Sequence, residues 1–156
     1  MNINKDMQMV GFRVGAETFG VPISLVHEIV RVPQITAVPE AKRGLEGVIN
    51  LRGKIVPVVD LRKLFGAPES QSTKKNRILV AEIEGKLVGL MVDSASEVLR
   101  VAPDALEPAP DIFDSAPYVT GVGKLKDRLI ITVDLTKVVR AEELEPLVAT
   151  QQAQEA

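Results

Sequence analysis

The chain has 156 residues, with 19 basic against 21 acidic side chains and a formal net charge of −2. That balance excludes the basic stripe with which nucleic-acid binders neutralise phosphates. Absence of cysteine excludes disulfides and thiolate metal sites, and no apolar run approaches the roughly 18 residues of a membrane span.

Hydrophobic residues make up 46% of the chain, yet aromatics only 3%, with no Trp. Val, Ile and Leu therefore fill the core, and β-branched side chains suit a pleated, half-buried surface better than a helix interior. Residues 1–6 have no apolar stretch of the kind a secretory signal needs, so a cytoplasmic location is expected.

In chain order, residues 10–14 and 19–23 flank Gly15-Ala16-Glu17 and read as a β-hairpin. Ser24 is placed to cap a short helical turn over residues 25–27, after which residues 28–32 are extended again. Pro33 and Pro39 mark a connection, and residues 40–44 form a charged loop. Residues 45–51 and 54–60 are two strands joined at Arg52-Gly53, which puts Arg52 at the tip of a tight turn. Asp60 can cap a short helix over residues 61–65 that stops at Gly66. Residues 67–75 are polar and aperiodic and read as a linker.

The pattern then starts again. Shifted by 69 positions, Gly20 falls on Gly89, Ser24 on Asp93 (another good cap residue), Glu28 on Glu97 and Arg31 on Arg100. Further on the shift is 74, so that Gly47-Val48 meets Gly121-Val122 and Val59-Asp60-Leu61 meets Val133-Asp134-Leu135. Matching glycines, caps and turns in one order point to internal duplication, because each residue has a different physical task. The expected fold is all-β with short helices: two pseudo-repeated barrels of about five strands, each too small to be stable alone and sharing apolar surface. The first subdomain covers residues 8–66 and the second 76–140, with strand exchange between them allowed. Residues 141–156 form a tail, part helical and part frayed.

Catalytic candidates are few. His27 is the only histidine, so histidine-based metal sites and Ser–His triads lack partners, and neither metal nor cofactor is expected. Gly121-Val122-Gly123-Lys124 lacks the spacing and the following helix of a phosphate loop. Asp60 and Asp134 could be imagined as an acid–base pair, but helix capping accounts for both. Asp111-Ile112-Phe113-Asp114 has no calcium-loop spacing. A chain without a catalytic constellation acts by contact, and Glu28, Asn50 and Arg52 project from a strand and a turn that could lie side by side. The competing class, a ligand sensor, would need a pocket of several hundred cubic ångströms with convergent polar groups, and the scarcity of aromatics argues against one.

The run from Gly47-Val48-Ile49-Asn50-Leu51-Arg52-Gly53 to Val59-Asp60-Leu61-Arg62 resembles the signature segment of the CheW-type coupling proteins of bacterial chemotaxis. Residues 19–29, in which an apolar strand leads to Glu28-Ile29, and residues 121–135 are similar to the family's earlier and closing segments, so the resemblance spans about residues 8–140. It implies two five-stranded SH3-like barrels around a shared core. It also implies an adaptor between chemoreceptor tips and the regulatory domain of the CheA histidine kinase, recruited to arrays at the inner membrane and able to form rings with the kinase. By resemblance, the receptor surface comprises Val26, Glu28, Gly47, Asn50 and Arg52, and the kinase surface Val10, Val21 and Ile23. Gly47 is expected to let a partner helix approach closely. His27 stands where many members have Gln or another polar residue.

Overall fold

A computed structural model describes residues 7–39, 45–66, 73–113, 116–125 and 127–141. The first part of the chain gives β1 (Met7–Val14), β2 (Glu17–Pro22), β3 (Val26–Arg31), β4 (Leu45–Leu51), β5 (Lys54–Asp60) and α1 (Leu61–Leu64). The second gives β6 (Arg77–Ile83), β7 (Lys86–Val92), β8 (Ser94–Val101), β9 (Leu106–Pro108), β10 (Val119–Lys124), β11 (Leu129–Val133) and α2 (Leu135–Ala141). The expected linker falls partly in residues 67–72, and the charged loop 40–44, Asp114, Lys126 and the tail 142–156 also lie outside the described residues.

Strand pairing crosses between the halves. One sheet has the order β8-β1-β2-β11-β10-β9 and the other β3-β6-β7-β5-β4. Each takes its central hairpin from one half and its flanking strands from the other. The two orders match under the internal repeat, β1 with β6, β2 with β7, β3 with β8, β4 with β10 and β5 with β11. The sixth strand, β9, also has a counterpart: Thr36 and Val48 exchange two backbone hydrogen bonds of 2.9 Å. Each unit is thus the five-stranded SH3-like barrel that the resemblance implies, and one of them has this contact lengthened into a short strand.

Double-sided burial explains the sequence of the central hairpins. Along β6, Leu79, Ala81 and Ile83 enter a core shared by both sheets, while Ile78 and Val80 fill the interior of their own barrel. Along β1, Val10, Phe12 and Val14 join the shared core, and Met9 packs with Val101 and Ile130 inside the other barrel. Strands buried on both faces lose the polar alternation of a one-sided sheet and read as continuous apolar runs. The shared core also takes Leu61 of α1 and Leu135 and Val138 of α2, so both helices lock the barrels together. At about 25 cal/mol per Å² of apolar surface removed from water, this common interior is the main term joining the units.

One local expectation is corrected here. The turn after β2 is a 3-10 turn, Ile23–Leu25, that starts behind Pro22 without a side-chain cap. Ser24 lies inside it rather than ahead of it, because the fixed φ of proline already sets the chain into the turn.

Candidate functional site

The hairpin β4–β5 turns at Arg52 and Gly53, whose φ angles are 50° and 87°. Two successive positive φ values define the type I′ turn that matches the twist of a two-residue hairpin. The side-chain carbonyl of Asn50 accepts a 2.8 Å hydrogen bond from the Gly53 N–H, which holds the turn and leaves the Arg52 side chain 67% exposed. Backbone conformation alone does not mark this turn as special, since Glu84 and Gly85 repeat it between β6 and β7 at φ 52° and 81°.

What distinguishes Arg52 is its partner. Its guanidinium donates to the Glu28 carboxylate of β3, 24 residues earlier. β3 and β4 are opposite edges of their sheet, so this ion pair spans the seam where the sheet curls back on itself. The Thr36–Val48 bonds close the same seam a few residues away. Glu28 follows a β-bulge between Val26 and Glu28, which leaves His27 as the extra residue and turns it outward, exposed. Val26 and Glu28 are half-buried, and Asn50 and Arg52 are exposed. These four bring an apolar edge, an ion pair and an amide to one barrel mouth.

Gly47 has a different place from the expected one. It is buried, with φ 150°, and a Cβ built on it would stand 2.1 Å from the Thr36 carbonyl oxygen. Its missing side chain makes room for the chain's own seam, not for a partner helix. Val10 and Val21 also depart from the expected surface: both are buried in the shared core, at 3% and 0% exposure. Burial of the first hairpin on both faces removes them from any partner's reach. Ile23 alone of that trio is accessible, at 38%.

At the far end of β5 lies a second charged group that the sequence reading passed over. Asp60 caps α1 as expected, accepting from the Arg62 N–H at 2.9 Å. Its carboxylate also receives Nε and Nη2 of Arg62, both at 3.0 Å. Arg62 Nη1 reaches Asp93 at 3.4 Å, and Asp93 in turn accepts the Gly15 N–H at 2.7 Å. Asp93 is therefore no helix cap. It is the residue between β7 and β8 at which the chain passes from one sheet to the other, tied to α1 on one side and to the β1–β2 turn on the other. The hydrogen bond to Asp60 is the main reason that the Arg62 guanidinium is held above its ordinary pKa, against the opposing effect of burial. The available signal was a basic residue two places after a capping Asp, between the apolar Leu61 and Leu64.

Among the described residues no group of three or more His, Asp or Glu side chains could hold a metal ion, and no helix is long and apolar enough to cross a membrane. Fold and site together define a double SH3-like barrel with an exposed Arg–Glu pair at the seam of one barrel and a Lys124–Glu107 pair at the matching edge of the other. The chain belongs to the CheW-like domain family, whose model matches residues 8–143. It is 35% identical over 144 residues to the chemotaxis protein CheW of Rhizobium meliloti, covering 91% of this chain and 93% of that protein. Protein PilI of Pseudomonas aeruginosa is 31% identical over 115 residues, covering 72% and 65%. The crystal structure of the scaffolding protein TtCheW from Thermoanaerobacter tengcongensis matches with a TM-score of 0.81 at 38% identity, covering 85% of this chain and 92% of that one.

Proposed function

We propose that this chain is a non-enzymatic cytoplasmic adaptor that couples chemoreceptors to a CheA-type histidine kinase in arrays at the inner membrane. Family membership and relatives named as chemotaxis and scaffolding proteins support the reading. The observation that carries the site is the Arg52–Glu28 pair, an exposed guanidinium oriented by a carboxylate from another strand. Arginine presents a planar fork of donors that suits carboxylates and free helix carbonyls, the groups a receptor's helical hairpin tip offers. Val26 supplies apolar contact beside it, Asn50 fixes the turn, and Gly47 shapes the seam from within. Ile23 is the accessible residue of the kinase surface.

The test is co-purification of the full chain with receptor-tip and kinase fragments, scored for binding and for stimulation of kinase autophosphorylation. Arg52→Glu should keep the fold and weaken receptor binding by roughly 1–3 kcal/mol, the value of a charge-assisted hydrogen bond. Unchanged receptor affinity in this variant would remove Arg52 from the surface.

A further inference from the structure

The chain has only five aromatic side chains, between positions 12 and 118, and they meet in one place. Phe12 stacks on Phe19 with ring centroids 5.9 Å apart, and Phe19 meets Phe65 at 4.8 Å. Phe65 lies nearly parallel to Tyr118 at 5.0 Å. Phe113 lines the same hollow. The described interiors of the two barrels are built from aliphatic side chains and Met, and the chain of rings runs outward from Phe12, buried in the shared core. The other four, Phe19, Phe65, Phe113 and Tyr118, border an opening of about 490 Å³ between the start of β2, the end of α1 and the segment leading into β10.

Leu64, Val119 and Ile131 complete its apolar wall, and Glu17 is the one charged side chain among the described residues that line it. Ring faces carry negative potential and attract cations. An acidic side chain at the rim of such a wall adds to that attraction, and none of the described lining residues is basic. The volume lies within the range of small-molecule sites, which are mostly apolar with few polar groups.

We propose that this hollow binds a small organic ammonium ion, an amine borne on an aryl or branched-alkyl body. The body packs on Phe65, Tyr118 and Ile131, and the ammonium group lies between ring faces and the Glu17 carboxylate, to which it donates. The site shares no residue with the Glu28–Arg52 seam and stands or falls independently of the adaptor reading.

Titration of the full chain with 2-phenylethylammonium, followed by amide chemical shifts, tests the proposal. Saturable shifts should gather at residues 17–19, 64–66, 118–119 and 131. Glu17→Gln should weaken binding about two- to fivefold, as expected for a partly solvated ion pair, with the remaining spectrum unchanged. Phe65→Leu keeps the apolar wall but removes a ring face, and should weaken binding by a similar factor of about two to five. The neutral isostere 2-phenylethanol should bind more weakly than the amine. Absence of saturable shifts at millimolar amine, or equal binding of amine and alcohol, would overturn the site. So would a lysine-centred apolar peptide that binds there while the free amine does not, since the occupant would then be a protein segment.

Discussion

The two barrels agree in the residues that make a barrel and part company in their charges. Each has a bulge early in its outer hairpin, between Leu45 and Gly47 in one and between Val119 and Gly121 in the other. Each has a glycine there because a carbonyl oxygen of the returning chain occupies the place of a side chain, Thr36 over Gly47 and Glu107 over Gly121. Each closes with an aspartate that caps the helix behind it, Asp60 to the Arg62 N–H and Asp134 to the Thr136 N–H. Yet the position after Leu61 is a buried arginine, and its counterpart after Leu135 is a threonine. The repeated geometry carries different charges: Arg62 of the first half joins Asp60 to Asp93 of the second, Arg52 meets Glu28 across the first seam, and among the described residues of the second barrel Lys124 pairs with Glu107 instead. One difference lies inside the molecule and bears on its stability, the other lies on its surface and bears on what it can meet.

The sharpest way to break that comparison is at the buried arginine. Arg62→Met removes the partner of an Asp60 that is itself buried, and an uncompensated buried carboxylate costs about 3–5 kcal/mol. Thr136→Val at the matching position should cost less than about 1 kcal/mol. Urea unfolding of the two variants measures the contrast, and equal losses would mean that Arg62 supports nothing its counterpart lacks. The direction of the Arg62 shift also fixes its pH dependence. A raised folded-state pKa gives stability that is fully present below the unfolded value and lost only as pH rises through the folded one. Since a guanidinium already titrates far above neutrality and this one is raised further, the Arg62 contribution should be constant across the neutral range.

The glycine pair comes next. Gly47→Ala meets both a carbonyl at 2.1 Å and a φ of 150°, and overpacking together with strain should cost about 2–4 kcal/mol. Gly121→Ala meets its carbonyl at 2.6 Å without that φ, and about 1–3 kcal/mol is expected. Thermal unfolding ranks them. The reverse order would show that β9 tolerates less adjustment than the Thr36 bridge.

Local chemistry was legible in the sequence, and long-range pairing was not. The turn at Arg52-Gly53, the Asp60 and Asp134 caps and the matched glycines depend on neighbours within a few residues, and each residue type announces its task. Even the adjacency of Glu28 and Arg52 could be suggested, since both stand out against apolar strands. The exchange of hairpins between sheets had no such mark, because antiparallel apolar strands can pair in many orders with similar local preferences. The resemblance puts Val10 and Val21 on a partner surface, but a resemblance carries no burial with it, and the first hairpin is covered on both faces. The unbroken run Met9-Val10-Gly11-Phe12 was the available clue. Asp93 suits a helix cap by residue type alone, while its actual partners stand 31 and 78 residues away. Five aromatics scattered between positions 12 and 118 announce no pocket, and their convergence is a property of the fold alone.

The smallest effect on stability is expected at the seam itself, and it is the most informative about function. Arg52 is well solvated and Glu28 half-buried, at 67% and 24% side-chain exposure, and ion pairs open to solvent contribute about 0.2–1 kcal/mol. A double-mutant cycle of Arg52→Ala and Glu28→Ala should therefore give a coupling energy for folding below about 1 kcal/mol. The same cycle for receptor binding should give a larger value, because Glu28 restricts the guanidinium to one orientation before the partner arrives and lowers the entropy lost on docking. If both cycles gave the same small coupling, Glu28 would be a neighbour rather than an orienter of Arg52. The contrast between the barrels would then reside in the arginine alone, and placing that single side chain on the turn of the second barrel should transfer receptor affinity to it.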